Sequence, residues 1–473
     1  MNAAKPEERL TGTWRLPTQP NLRRAGVLVL SGAEEARLEI DRALPMAPRR
    51  SHADTPETYE IVLGRAGSRL FTLYRCMVES EESVGRRETR QVLSIDTAFE
   101  GARIASAGDL TFDAAAIGIE PLHDWAKWST TSGRIVRRSD VEDGRLVRTH
   151  LTYEPQAELR AATDQGEIVL AEGLSIPRQR GRAELNTSHT FRMQLSSPLP
   201  FESWHTAVLR PLQNFVSLVT DQAARITWVT MSHSAHLTGP RGRRYPAPIK
   251  VRSHFLQQIG GQPRRLVSTD FLIGFDEMAN RFEPVMREWF RISRDYRDAC
   301  TLMFAPRYAG NLYLESSFLM IAQALEVFHR TKYATATIMP PNEYEALRGK
   351  LLAATPKEHR SLIASRLSLS HGNAPFFKDR LLDLIELAGE SVTNLVKSRD
   401  AWAKKLKDTR NDLTHWSDTR EGVEPGTEAF FRLLRQATIL TKAIALREIG
   451  FSTSECARLF SENWLYRFSR GQI

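Results

Sequence analysis

An arginine, a carboxamide and an imidazole stand close together in the segment Arg410-Asn411-Asp412-Leu413-Thr414-His415. A guanidinium is permanently charged, and its planar fork pairs with two phosphate oxygens at once. An imidazole exchanges protons near neutral pH and serves as base or as acid. Together these groups suit proton transfer beside a phosphate ester; metal-free scission of RNA, in which the ribose 2′-hydroxyl attacks the adjacent phosphorus, is one reaction of that kind. That reaction needs a base for the hydroxyl proton, an acid for the 5′-oxygen leaving group and positive charge on the phosphorane. Arg410 fits the charge role, His415 a proton-transfer role, and Asn411 the fixing of the imidazole or of a phosphate oxygen. One such motif supplies one imidazole, so a chain acting alone lacks a base or an acid. A two-fold homodimer, or a higher even oligomer built from it, brings a second copy. Other histidines have weaker claims: His329 adjoins a core stripe, His359 lies in a charged run and His371 precedes Gly372.

Leu395, Trp402, Leu406 and Leu413 recur at the period of an amphipathic helix, which is expected over Val392 to Thr414. On it Asn411 and His415 share a face, whereas Arg410 and His415 stand about 140° apart around the axis. They converge only if the helix ends or loosens near His415. Ser417-Asp418 and the cluster Gly422, Pro425 and Gly426 supply such an ending. Lys397, Arg399, Lys404 and Lys407 line the same stretch and are candidate RNA-backbone contacts, although Lys-rich helix faces also serve simply as solvated surface. Upstream, NLYLESSFLMIAQALEVFHR carries an apolar stripe through Leu314, Phe318, Ile321, Leu325 and Phe328. Glu315, Leu319, Ala322, Glu326 and His329 run beside it. Glu326 is therefore a fourth candidate catalytic-site residue, next to the ordinary reading of a Glu-His pair on a helix flank.

The 473-residue chain is 41% hydrophobic, enough to bury sizeable cores in more than one domain. Its formal net charge of +9 is compatible with RNA contact without being evidence for it. Cys76, Cys300 and Cys456 lie far apart and fit neither a disulfide framework nor zinc spacing. His233, His236 and His254 lack a neighbouring carboxylate or cysteine, so no metal is expected there. No P-loop, nucleophile elbow or paired-carboxylate nuclease motif occurs, so no cofactor is expected. The opening residues are charged from Lys5, and the early apolar run Val27 to Leu30 is short. Neither a secretory leader nor a membrane span is expected, and the location expected is the cytoplasm.

Residues 10 to 200 alternate in strand fashion: Tyr59 to Leu63, Leu70 to Met77, Gln91 to Ile95, Arg145 to Tyr153, Ile168 to Leu170 and His189 to Leu195. An antiparallel sheet or sandwich follows, with a hairpin turn in Gly64 to Ser68 and with Trp14, Trp125, Trp128 and Trp204 as packing residues. Phe201 to Asp221 switches to helical period, kinked or started at Pro211. Strands resume over Ala224 to Ser232 and Ile249 to Gln257, around the basic loop Arg241 to Tyr245, which suits either a phosphate contact or a solvated hairpin tip. A charged helix is expected over Glu277 to Asp298. From Asn311 onward only helices are expected: Asn342 to Ala354, Lys357 to Ser368, Lys378 to Ala388, Val392 to Thr414, Glu428 to Ile449 and Ser452 to Tyr466. The fold class is α+β, with a β-rich domain over 1–298 and an all-α bundle over 305–473, joined where Pro306 and Gly310 interrupt the pattern.

The string Arg410-Asn411-x-x-x-His415 resembles the Arg-x4-6-His motif of the HEPN superfamily, helical domains many of which are metal-independent ribonucleases. LYLESSFLMIAQALEVFHR and RNDLTH stand in the order and at roughly the distance found in the HEPN domain of ApeA-type bacterial antiphage proteins. The β-rich first half, followed by PLQNFVSLVTD, is similar in layout to the ApeA N-terminal domain, so the resemblance spans nearly the whole chain. It implies a defence ribonuclease that damages cellular RNA, transfer RNA included, in abortive infection. Arg410 and His415 would be catalytic, Asn411 supporting, and the N-terminal domain a place for sensing a phage-derived trigger. The alternative is a non-catalytic HEPN-like or antitoxin-type module that holds RNA, a nucleotide or a protein on the same face.

Overall fold

The structure is a computed structural model that describes residues 7–30, 36–45, 58–84, 88–127, 134–143, 145–175, 178–179, 182–183, 185–233, 248–253, 266–368, 372–415 and 421–462. The chain forms two compact units, Met1–Arg287 and Glu288–Ile473. It is α+β, β-rich in the first unit and helical in the second. The loop Arg241 to Tyr245, Trp128, His236, His254, His371 and Ser417-Asp418 lie outside the described residues.

In the first unit, β1 (Glu8–Arg15), β2 (Arg24–Leu30), β3 (Ala36–Ile40), β4 (Thr58–Ala66), β5 (Arg69–Val84) and β6 (Glu88–Glu100) close on themselves. Around the ring the order is β6-β3-β2-β1-β4-β5, and β5 pairs back onto β6. Closure pairs the edge that β5 would otherwise expose. Inward-facing Trp14, Leu28, Leu38, Ile40, Phe71, Leu73 and Leu93 fill the barrel. Gly64 makes room for Trp14, since a Cβ at that position would stand 1.9 Å from the indole ring. The expected hairpin turn narrows to Gly67 and Ser68, with Gly67 at φ +57°.

From β6 the sheet continues through β16 (Ile249–Ser253), β15 (Arg225–Ser232), β7 (Thr111–Glu120), β14 (Asn186–Pro200) and β11 (Gly166–Ser175) to β10 (Leu159–Ala162). Two separate hairpins are β8 (Arg134–Glu142) with β9 (Arg145–Glu154), and β12 (Arg178–Gln179) with β13 (Arg182–Ala183). Short helix α1 (Leu122–Ala126) carries Trp125, whose Nε1 donates to the Ile273 carbonyl at 2.8 Å. Phe201 to Thr220 is helical, as α2 (Phe201–Trp204), a wide π turn (His205–Leu209) and α3 (Arg210–Thr220). The loosened turn sits directly before Pro211, whose ring would crowd the carbonyl one α-turn earlier. Every residue from Pro211 to Thr220 is buried.

A buried imidazole beside a half-buried one bears on how this unit responds to acid. His189 on β14 lies within 3.1 Å of His123 on α1, Nδ1 to Nδ1, and its Nε2 donates to Gln156 Oε1 at 3.1 Å. Burial drives the His189 pKa down to about 4, against a partial pull from Glu172 on β11, and His123 adds to the lowering. The folded form thus prefers neutral His189, and its stabilising contribution is complete above the unfolded value of 6.5 and lost as pH falls toward 4. At about 1.36 kcal/mol per unit, on the order of 3 kcal/mol disappears over that window. Urea unfolding followed between about pH 7 and about pH 4 should show this loss, and His189→Gln should reduce it while leaving the part due to His205, which burial also lowers to about 4.

The second unit takes up the end of α5 (Phe282–Asp295), followed by α6 (Arg297–Tyr308), α7 (Leu314–Lys332), α8 (Pro341–Ala354), α9 (Arg360–Arg366), α10 (Phe377–Ala388), α11 (Glu390–Thr393), α12 (Arg399–His415), α13 (Glu428–Glu448) and α14 (Thr453–Glu462). Three expectations change here. The charged helix Glu277 to Asp298 is in three pieces, with α4 (Phe275–Ala279) ending at Asn280 and α6 starting after Tyr296, whose φ and ψ of −114° and 33° leave helical space. Pro306 lies inside α6 rather than ending it, two residues before the last one, where its ring leaves the Leu302 carbonyl without the N–H of the next turn and little helix remains to be disturbed. Val392 to Thr414 breaks between α11 and α12, where the Ser398 hydroxyl accepts from the Ala401 N–H at 3.4 Å in the manner of a helix cap. Leu395, Trp402 and Leu406 are still buried, since a spacing of seven suits a broken pair of helices as well as one long helix.

Among the described residues no helix is long and apolar enough to cross a membrane. Cys76, Cys300 and Cys456 are free.

Candidate active site

The α7 stripe packs as its period requires: Phe318, Ile321, Leu325 and Phe328 are buried. Turning that stripe inward sets Glu326 on the flank that faces α12. Its carboxylate, 14% exposed, accepts from Arg410 Nη2 at 3.1 Å through Oε2 and from Arg330 Nη2 at 2.7 Å through Oε1. Arg410 Nη1 reaches Asn411 Oδ1 at 3.3 Å, and its guanidinium carbon stands 5.6 Å from the Phe377 ring centroid. A planar cation over an aromatic face with one edge on a carboxylate is fixed in direction, and its remaining N–H donors are left for a phosphate.

The helix α12 is regular through His415, its last residue. His415 is exposed and has no hydrogen-bond partner among the described residues. Asn411 lies one turn before it on the same face, while Arg410 keeps its ~140° offset. Within one chain, helical geometry therefore turns Arg410 and His415 toward different sides. Beyond the helix end the chain returns against it. Gly422 N–H donates to Asp412 Oδ2 and Val423 N–H to Thr409 Oγ1, both at 2.8 Å. A Cβ on Gly422 would lie 2.4 Å from Thr409 backbone atoms, so glycine is what allows this approach.

The four basic candidates divide. Lys397 precedes α12, and both it and Arg399 are exposed. Lys404 and Lys407 each reach Asp408 at 2.7 Å. Burial pushes the Asp408 carboxyl up, and hydrogen bonds from the two lysines outweigh it, holding the group below the ordinary aspartate value. This pairing neutralises part of the face that the sequence presents as uniformly basic.

His329 lies one turn after Glu326 but is fully buried. Its Nδ1 accepts from Arg380 Nη1 at 3.0 Å, which leaves Nε2 to donate to Asp383 Oδ2 at 2.7 Å. Desolvation lowers its pKa, the Asp383 hydrogen bond opposes that and the Arg380 charge reinforces it. With both ring nitrogens occupied, His329 is part of the α7–α10 packing. Sequence reasoning overlooked Arg330, Phe377, Arg380 and Asp383. The available signal was Arg380 and Asp383 three apart, and hence on one face, of an apolar-striped helix.

Residues 9–289 match the family described as ApeA N-terminal domain 1, and residues 319–455 match Apea-like HEPN. The chain belongs to the ApeA family. No curated protein and no solved structure matches it. In this ApeA-type chain the HEPN match takes in Glu326, His329, Arg380, Asp383, Arg410, Asn411 and His415 together. A HEPN module of nuclease type joined to an ApeA N-terminal domain agrees with a role in antiphage defence.

Proposed function

We propose that this ApeA-type protein is a metal-independent endoribonuclease of abortive-infection defence, acting in the cytoplasm on cellular RNA. The observation that carries the reading is Arg410, oriented by Glu326 and Phe377 on the helix that ends at the exposed His415, with half-buried Asn411 one turn before that imidazole. The Arg410 fork neutralises charge on the phosphorane. His415 takes the 2′-hydroxyl proton or protonates the departing 5′-oxygen, and Asn411 orients the imidazole or a phosphate oxygen. Exposed Lys397 and Arg399, with Lys404 and Lys407 at reduced strength, guide the RNA backbone.

Because α12 turns Arg410 and His415 apart and His329 is sealed in the core, the second proton-transfer group comes from a second copy of the chain. A two-fold homodimer through the helical unit sets two copies of the motif around one phosphate. Specific activity should therefore fall on dilution as dimers separate, whereas a monomer that cuts at full rate would remove the shared site.

The purified protein incubated with total RNA in excess EDTA tests the reaction class. Cleavage rules out both metal dependence and a purely binding module, and intact RNA under all conditions refutes the ribonuclease.

A further inference from the structure

The loop that enters α10 holds an exposed aromatic side chain next in sequence to the ring that lies against Arg410. Phe376 is 69% exposed, and its chain neighbour Phe377 is the ring that lies against the Arg410 guanidinium. Lone apolar side chains on a surface are ordinary. Phe376 differs in how firmly its backbone is held. Its N–H donates to Asp379 Oδ2 at 3.3 Å and its carbonyl accepts from the Arg380 N–H at 3.1 Å. The Pro375 carbonyl before it accepts from the buried Arg380 Nε at 3.0 Å. Two residues earlier, the buried Asn373 side chain pairs with both backbone groups of Met339, at 3.0 and 2.8 Å. The chain thus holds the backbone that carries an exposed ring, one residue from the ring that lies against the Arg410 guanidinium.

That juxtaposition is what single-stranded RNA requires. Every base has a face that stacks on an aromatic ring, and recognition of unpaired RNA combines such stacking with a cation on the backbone. A base inside a duplex is already stacked on both faces and cannot use the ring. Resting on the ribonuclease reading above, we propose that Phe376 is a stacking platform for an unpaired base next to the phosphate held by Arg410, so that the substrate class is single-stranded or loop RNA. A side chain that stacks equally in the bound substrate and in the transition state changes KM and leaves kcat nearly unchanged.

The test uses the full-length chain and an oligouridylate carrying one 2-aminopurine, whose fluorescence is quenched on stacking and is little quenched by uridine neighbours. Phe376→Ala should raise KM for cleavage of this strand roughly ten- to a hundred-fold with kcat nearly unchanged. In the background of the inactive His415→Ala chain, Phe376→Ala should also abolish the quench on binding. Phe376→Trp should keep both the KM and the quench. An unchanged KM and quench in Phe376→Ala, while the parent chain still cuts RNA, overturns the platform and leaves the ribonuclease standing. If Phe376→Ala instead converts a dimer to a monomer by mass, the ring is a subunit contact and the platform is equally overturned. A parent chain that neither binds nor cuts the strand removes both proposals together.

Discussion

His415→Ala is expected to slow RNA cleavage by about 10²- to 10⁴-fold, the range of a positioned acid or base, and Arg410→Ala should do at least as much damage. Neither change threatens the fold to the same degree. His415 is exposed at the end of α12, and Arg410 is one-third exposed with its contacts at the rim of the bundle. The two variants should separate mechanistically. Loss of Arg410 removes charge that matters most on the phosphorane, so kcat falls, and Arg410→Lys should recover little because a point charge lacks the planar fork. Loss of the imidazole should also flatten the pH profile of the remaining activity. Circular dichroism with single-turnover cleavage assays checks both. A variant that folds normally and keeps full activity would displace that residue from the site.

His329→Ala is expected to cost on the order of 3–5 kcal/mol of stability, since the imidazole is buried with both ring nitrogens engaged. The imidazole is fully buried and fills the space between α7 and α10. Its removal leaves a cavity, and it also strands the Arg380 guanidinium, itself only 5% exposed, without the acceptor on Nη1. A buried cation that loses a partner costs more than the pair contributes. The double substitution His329→Leu with Arg380→Met removes both polar partners and should restore much of the loss, which denaturant titration of the three chains measures. Equal destabilisation in the single and double variants would mean that the cavity, not the stranded charge, dominates. Activity should fall in His329→Ala by more than the unfolded fraction explains, because Arg380 also pins the Pro375 carbonyl at the start of the helix that carries Phe377.

Local periodicity carried much of this architecture. The α7 stripe, the burial of Trp402 and Leu406 and the strand character of β4, β5, β6, β9, β11 and β14 follow from side chains that alternate or step around one axis. What alternation cannot encode is which strands pair over long separations. Closure of β5 on β6, while the other edge of β6 pairs with β3 and β16, therefore had no sequence signature. The break before Arg399 was hidden for a related reason, since a spacing of seven holds across a capped interruption. At the candidate site, Arg410, Asn411 and His415 could be singled out because they are neighbours in sequence, and Glu326 because it flanks an unambiguous stripe. Phe377, Arg330 and the Arg380-His329-Asp383 chain were not. They depend on how α7, α10 and α12 cross, a tertiary fact that no short window contains. The neutralisation of Lys404 and Lys407 was written into Asp408, one helical turn and one residue away respectively, and could have been read from the charge pattern.

The account stands on internal attack by a ribose hydroxyl at the Arg410–His415 site. An RNA strand cut at one mapped bond, resynthesised with a single 2′-deoxyribose on the 5′ side of that bond, puts this to the test with nothing else changed. The all-ribose strand should give a 2′,3′-cyclic phosphate or its 3′-phosphate at the break, and the substituted strand should stay intact at that position. Cutting of the deoxy-substituted strand at the same bond would contradict the mechanism.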